Sequence, residues 1–350
     1  GQFTRHRAEQ HGPSLGYCAG YTPLDTVCTH PRQPRPMRRY LFPLLAACSP
    51  AAAPDAQVPG LSGTLVVTNK TPSTATIIDA ASGRALATLP TGNNPHEVVI
   101  TKDGRTAVVT DYGTGSSPTL TVIDVPGKRV ARTIGLGQYT GPHGIAYLPG
   151  DSLVIVTSER TNNVVIVAVA SGEIRKAIPT QHRGSHMVAV TADGRRAWTG
   201  DIGDNTVTEL DVVAGTYLRS INVPAQPEAI NVTPDGREVW VGSNATGKVS
   251  VVDPSSGSVT TAAEGVSWPY RVLFTPDMST VVLPDLRNHE VRFLERATRR
   301  ELSRLSLPGA RPQGVTMTPN GRYLLESLST QARVMVVDMR TRAVVGHIPA

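Results

Sequence analysis

The chain has 350 residues and a formal charge of +6, with 34 Lys and Arg against 28 Asp and Glu. Charged residues make up only 18% of it, and its 32 Gly and 28 Pro supply many turns, a composition typical of an all-β chain. Residues 1–48 hold six Arg but only two acidic residues, so the rest of the chain is nearly neutral. We therefore expect no nucleic-acid partner, because such binding needs a strongly basic surface.

The N-terminal segment is predicted to be a targeting segment rather than a folded domain. Residues 1–36 show no periodic pattern and are expected to be unstructured and upstream of the true start at Met37. Residues 37–48 combine a basic start, a short apolar run and the sequence LAAC, which resembles a bacterial lipobox ending in Cys48. This pattern predicts a lipidated signal peptide, with an ordinary signal peptide as the alternative. Residues 49–60 read as a flexible linker.

A repeat of 41 to 45 residues begins after the linker. Each copy has a short apolar run that ends in Asp or a substitute for it, at Asp79, Asp124, Ala168, Asp211, Asp253, Leu294 and Asp338. A turn signature lies between these runs and is clearest at residues 233–236, TPDG. Pro followed by Asp-Gly is suited to a tight turn between antiparallel strands. The repeat thus predicts strand, turn, strand in every copy.

Each copy offers four strands, named a to d in chain order. Strand a precedes the TPDG-type turn, strand b follows it, strand c ends in the Asp, and strand d follows a Ser-Gly type turn. Four short antiparallel strands per repeat are typical of a propeller blade. Residues 61–350 are therefore predicted to form an all-β, seven-bladed β-propeller of four-stranded antiparallel blades. The first blade lacks its innermost strand a, so either the chain is C-terminally truncated or that blade has three strands.

The repeat is similar to that of the YVTN-repeat (YncE-like) family of bacterial seven-bladed propellers. The likeness is carried by residues 227–237, by VVTN at 66–69 and by TVID at 121–124, and it extends over residues 61–350. The resemblance implies the propeller fold. Lactonases and the haem-binding propeller of cytochrome-type nitrite reductases share that fold, but the resemblance implies no particular reaction.

The start of strand a is expected to face the mouth of the central channel. In six consecutive blades this position holds His96, His143, His186, Glu228, Tyr270 and Gln313. Neutral imidazoles together with a carboxylate suit Zn, Cu or Fe. His96, His143, His186 and Glu228 are therefore candidate ligands for a metal or a small molecule. The alternative is a purely structural role, in which these side chains only bind channel water.

A second ring of polar residues is predicted at the ends of the b strands on the same face. It comprises Asn69, Asp111, Glu159, Asp201, Asn244 and Asp285. The acidic rim candidates Asp111, Glu159, Asp201 and Asp285, with Tyr270 beside them, are placed to orient the imidazoles or act as general bases. The alternative is that Asp and Asn recur there because they favour turns. Arg160, Arg271 and Arg311 near this face suit an anionic ligand.

The sequence predicts an exported propeller that binds a metal or small ligand at the channel mouth, with a role in redox chemistry or maturation. The alternatives are a non-catalytic scaffold that binds another envelope protein and a lactonase-like hydrolase. We expect a monomer in the periplasm or at the cell surface that meets the membrane only through a lipid anchor. No GxSxG, Walker A or GxGxxG motif is placed to support another catalytic class, so the sequence leaves open whether the protein is an enzyme.

Overall fold

Each sequence repeat forms one blade of a propeller. The computed structural model describes residues 57–113 and 118–350. The predicted upstream segment 1–36, the signal peptide with Cys48, and the linker up to residue 56 lie outside the described residues. Among the described residues, no helix has the length and apolar character needed to cross a bilayer.

Seven antiparallel sheets follow one another along the chain, each built from consecutive strands. Blades 1 to 3 contain β1 (Thr64–Asn69), β2 (Thr74–Asp79), β3 (Arg84–Pro90); β4 (Pro95–Ile100), β5 (Thr106–Asp111), β6 (Thr119–Asp124), β7 (Arg129–Gly135); β8 (Pro142–Tyr147), β9 (Leu153–Ser158), β10 (Asn163–Ala168), β11 (Ile174–Pro179). Blades 4 and 5 contain β12 (Ser185–Val190), β13 (Arg196–Asp201), β14 (Thr206–Asp211), β15 (Thr216–Asn222); β16 (Pro227–Val232), β17 (Val239–Ser243), β18 (Lys248–Val252), β19 (Val259–Glu264). Blades 6 and 7 contain β20 (Leu273–Phe274), β21 (Thr280–Asp285), β22 (Glu290–Glu295), β23 (Glu301–Ser306); β24 (Pro312–Met317), β25 (Tyr323–Leu328), β26 (Arg333–Asp338), β27 (Ala343–Pro349). This confirms the predicted seven-bladed propeller and its three-stranded first blade.

The TPDG-type turns are fixed by their own side chains. In blade 2 the Thr101 hydroxyl donates a 2.6 Å hydrogen bond to the Asp103 carboxylate, which also accepts the Arg105 amide at 2.9 Å. Gly104 adopts φ +71° in this turn, a conformation that glycine reaches without strain. Thr233 and Asp235 repeat the same hydroxyl–carboxylate bond in blade 5. The repeated motif therefore sets the a–b connection of each blade that contains it.

Strand a of blade 6 is shorter than the sequence predicts. Only Leu273–Phe274 is a strand, and an isolated bridge joins Pro269 to Asp285. Pro284 explains this interruption. Its carbonyl accepts a hydrogen bond from the Tyr270 amide, so the hydrogen-bonding edge of Pro284 faces strand a. Because proline has no N–H, it cannot donate the second hydrogen bond that regular pairing with strand a would need. The Tyr270 segment therefore leaves the regular ladder.

Apolar residues fill the spaces between blades, so both faces of most blades are buried. Between blades 2 and 3, for example, Val108, Leu120, Ile145 and Val156 belong to one buried cluster. Alternating side chains of the central strands point to opposite faces, and each face meets a neighbouring blade. This stacking gives every blade a fixed position around the channel.

Blades 7 and 1 close the ring without a fourth strand in blade 1. Val58 and Leu61, which precede β1, are buried in the same cluster as Tyr323 and Ile348 of blade 7. The Tyr323 hydroxyl donates a 2.6 Å hydrogen bond to the Pro59 carbonyl. The residues just before β1 therefore join the two ends of the propeller.

Candidate functional site

The proposed ligands lie in a repeated irregularity of strand a. His96, His143, His186 and Glu228 are the second residues of β4, β8, β12 and β16. In each of these strands the pairing with strand b shifts by one residue immediately around that position. A bulge of this kind places an extra residue opposite its partner and turns a side chain out of the regular alternation. Four consecutive blades thus present these residues together.

Threonine hydroxyls of strand b hold the bulges in place. The Thr157 hydroxyl accepts the Gly144 amide at 2.8 Å and donates to the His186 carbonyl of the next blade at 2.7 Å. Thr110 makes the corresponding bond to the His143 carbonyl at 3.0 Å. A Cβ added to Gly144 would lie only 2.6 Å from the Met187 Cα, so the innermost strands of blades 3 and 4 pack backbone against backbone. This close approach brings neighbouring imidazoles within reach of each other.

The three imidazoles form a chain from blade 2 to blade 4. The ring centroids of His143 and His186 are 3.8 Å apart, and those of His96 and His143 are 4.9 Å apart. Burial lowers the pKa of His96 to about 4 and that of His143 well below its ordinary value, an effect that the neighbouring His186 reinforces. His96 and His143 are therefore neutral near pH 7 and can act as ligands.

His186 sits between two carboxylates. Its Nδ1 is 3.0 Å from Glu159 Oε2, and its Nε2 is 3.7 Å from Glu228 Oε1. Burial opposes a charge on this ring, but the hydrogen bond to Glu159 and the nearby carboxylate of Glu228 outweigh it and raise the pKa of His186 to about 9. Asn244 Nδ2 donates a 2.6 Å bond to Glu228 Oε2 and fixes that carboxylate. The protonated His186 ring is therefore the cation that faces the two carboxylates, and a metal ion bound there would replace its proton.

One group of side chains has the spacing of a metal site. Ligand atoms of His143, Glu159 and His186 all lie within 4.8 Å of one another. His143 Nδ1 and His186 Nε2 are buried and have no hydrogen-bond partner among the described residues. A buried polar atom without a partner is costly, and a bound ligand would remove that cost. His96 and Glu228 lie beside this group rather than within it.

Tyr112 and the ion pair of Arg271 with Glu97 were not predicted from the sequence. The Tyr112 ring lies 4.5 Å from the His96 centroid, and the Arg160 guanidinium stacks over it at 4.4 Å. Arg271 of blade 6 forms an ion pair with Glu97 of blade 2. Arg271 also stacks on the buried ring of Tyr270 at 4.2 Å and is not a free anion site. Only the closed ring brings these residues together, since 174 positions separate Arg271 from Glu97.

The rim candidates do not form a single ring, because some stand at the last paired position of strand b and others stand one residue after it. Asp111, Asp201 and Asp285 end their b strands, but the matching positions in blades 3 and 5 are Ser158 and Ser243. Glu159 and Asn244 therefore come one residue later. A shift by one residue reverses the direction of a strand side chain, which explains why Glu159 reaches His186. Tyr112 occupies the same later position in blade 2.

The three rim aspartates are buried within the blades instead. Asp201 accepts bonds from four hydroxyls, those of Ser185, Thr199, Thr206 and Thr208, at 2.6 to 3.0 Å. Asp285 accepts the amides of Ser267 and Trp268 at 2.8 and 3.0 Å. These bonds tie the connections on the mouth side to the blades. These bonds give Asp201 and Asp285 a structural task within their blades.

Comparisons with known proteins agree with the fold. No curated protein sequence matches this chain significantly. Among solved structures, hydrazine synthase of Kuenenia stuttgartiensis is similar with a TM-score of 0.70 at 18% identity, covering 79% of this chain and 92% of that one. At this identity the likeness concerns the fold alone. Residues 196–344, which run from blade 4 to blade 7, match the model of the YNCE-like beta-propeller family, and the resemblance seen in the repeat is thereby confirmed.

Proposed function

We propose that the channel mouth binds one divalent transition-metal ion, Zn, Cu or Fe, through His143, His186 and Glu159. The observation that carries this proposal is the mutual distance of 4.8 Å or less between ligand atoms of these three side chains. Two imidazoles and one carboxylate form a common donor set for such metals. Three protein ligands leave a further position for water or a small molecule.

The surroundings of the three ligands support a cation rather than an anion. Glu228 is held by Asn244 and lies 3.7 Å from His186, so it can orient that ring or compensate its charge. His143 is neutral and offers an unpartnered nitrogen. A small molecule on the metal would meet His96 and Tyr112, whose ring centroids lie 4.9 and 5.5 Å from that of His143. We therefore place the ligand-binding position between these rings and the metal.

Metal content and calorimetry test this proposal. The purified protein is stripped with a chelator, titrated with zinc chloride and analysed for bound metal. We expect about one equivalent in the wild type and none in a His143→Ala, His186→Ala variant. His182→Ala is the matched control, because His182 pairs with Asp204 at 3.4 Å outside the site. Equal metal content in all three proteins would overturn the proposal and favour the scaffold role.

We also infer that this site works outside the cytoplasm, in a protein anchored through a lipid on Cys48. The support is the order of basic, apolar and small residues in 37–48, followed by the cysteine. Metabolic labelling with a radioactive fatty acid tests the inference in cells that make the full chain. We expect label on the wild type and none on Cys48→Ser. Label on both proteins, or on neither, would exclude this anchor.

A further inference from the structure

A cleft on the opposite face of the propeller contains three arginines that form no ion pair among the described residues. The a–b and c–d turns lie on the face away from the histidines, and between blades 6 and 7 they enclose a cavity of about 680 Å³. Its lining includes Arg322, Arg340 and Arg342 together with Asp277 and Asp338. Guanidinium groups gathered in one concave place are the usual means of holding carboxylate or phosphate.

The two aspartates are engaged by their own turns. Asp277 accepts the Thr275 hydroxyl at 2.6 Å and the Ser279 amide at 3.1 Å. Asp338 accepts the Arg340 amide at 2.9 Å. In contrast, none of the three guanidinium groups forms an ion pair with a carboxylate within residues 57–113 and 118–350, and Arg342 Nε is buried without a hydrogen-bond partner. The positive charge of these three arginines is therefore not neutralised by ion pairs within the cleft.

The neighbouring cleft between blades 5 and 6 holds a carboxylate against its arginines. Glu238, the residue just before β17, forms ion pairs there with Arg299 at 2.6 Å and Arg296 at 2.8 Å. Strand pairing places Arg342 of blade 7 at the position of Arg299 in blade 6, since each follows the end of strand c by four residues. Both arginines also have positive φ, 55° and 66°. The backbone thus delivers the two guanidinium groups in the same way.

The carboxylate is missing from the second cleft. Thr280 of blade 6 occupies the position that Glu238 holds in blade 5, because each lies five residues after the threonine of its turn and donates its amide to that threonine's hydroxyl. A short hydroxyl cannot pair with a guanidinium as a carboxylate does. We propose that the cleft between blades 6 and 7 binds a small molecule through its phosphate or carboxylate group, which takes the place that Glu238 fills one blade earlier.

Calorimetric titration of the full chain with inorganic phosphate, and separately with citrate, tests this site at constant ionic strength against sodium chloride. We expect wild-type protein to bind at least one of these anions in preference to chloride, and the better one identifies the group recognised. The Thr280→Glu variant places a carboxylate of the protein itself beside the arginines of the cleft. It should weaken anion binding by about tenfold or more, the loss expected for hydrogen bonds to charged groups.

Two further variants keep the result independent of folding defects. Arg342→Gln should weaken binding by a similar factor without adding charge. Thr106→Glu adds the same charge at the corresponding position of blade 2, away from the arginines, and should leave binding unchanged. The proposal is overturned if neither anion binds the wild type better than chloride, or if Thr280→Glu and Arg342→Gln both bind as the wild type does. Neither result bears on the metal site, which lies on the other face.

Discussion

At the scale of single residues, Glu326 is the side chain least suited to its place. It is fully buried in β25 and pairs with the apolar residues Val315 and Met335 of the adjacent strands. Both carboxyl oxygens lack a hydrogen-bond partner among the described residues. Burial raises the pKa of Glu326 well above its ordinary value of 4.5, although Arg271 acts in the opposite direction. Burial therefore favours the protonated carboxyl over the carboxylate in the folded protein.

This raised pKa makes stability depend on pH in a definite direction. Because the folded state keeps a proton that the unfolded state releases above about pH 4.5, stability declines as the pH rises from that value towards the folded pKa. We expect Glu326→Val to increase the free energy of unfolding by about 1–3 kcal/mol near pH 8 and by less near pH 5. Urea unfolding at the two pH values measures both effects.

Glu326→Gln serves as the control for this prediction. It cannot titrate but remains polar, so it should remove the pH dependence without the full gain in stability that valine gives. An unchanged pH dependence in Glu326→Val would show that another group is responsible. A loss of stability in that variant would mean that the carboxyl makes a contact of net benefit.

At the scale of strands, the hydroxyl of strand b is what turns a bulge into a site. Thr157 binds the amide of Gly144 in its own blade and the carbonyl of His186 in the next blade. Ser327 makes the first of these two bonds in blade 7, to the Gly314 amide at 2.8 Å. In blade 4 the position is Gly200, where a Cβ would lie 2.7 Å from the Pro227 carbonyl oxygen. Except for Pro284 in blade 6, this position holds a small or a hydroxyl residue in every blade, as the close approach of the next strand a requires.

Replacing Thr157 with valine tests this role. Valine has the same shape but leaves the Gly144 amide without its acceptor, at a cost of about 1–3 kcal/mol in the free energy of unfolding. Because the His186 bulge loses an anchor, zinc affinity measured by calorimetry should fall as well. Thr157→Ser keeps the hydroxyl and should retain both properties. A valine variant with unchanged zinc affinity would show that the bulge is held by packing alone.

Strand elements also mark the limit of prediction from sequence. The repeat predicted the seven blades and the residue at the second position of strand a, because each copy of the motif corresponds to one blade. The register of the b-strand ends was mixed, because Asp111 and Glu159 are both acidic and only the pairing separates them. Pro284 could have predicted the interrupted strand in blade 6 from the sequence, because proline cannot donate a hydrogen bond to a neighbouring strand. The partnership of Arg271 with Glu97 left no sequence signal, since it depends on closure of the ring.

At the scale of the whole molecule, closure depends on the segment before β1. In a propeller every blade packs on two neighbours, so the interface of blades 7 and 1 must hold without the strand that blade 1 lacks. Leu61 is only 4% exposed within that interface, and Tyr323 bonds to Pro59 beside it. The inner edge of β1 is meanwhile unpaired among the described strands. The interface thus combines a packed outer part with an open inner edge, and is the expected site of first opening.

Leu61→Ala is the variant that examines this interface. Removing a buried leucine side chain should lower the free energy of unfolding by about 2–5 kcal/mol. Val213→Ala is the control, because Val213 is 59% exposed and should cost little. Hydrogen exchange followed by mass spectrometry locates the effect: amides of β1 to β3 and β24 to β27 should exchange faster, while those of blades 3 and 4 keep their protection. Equal acceleration in every blade would mean that the ring unfolds as one unit and that this interface has no special weakness.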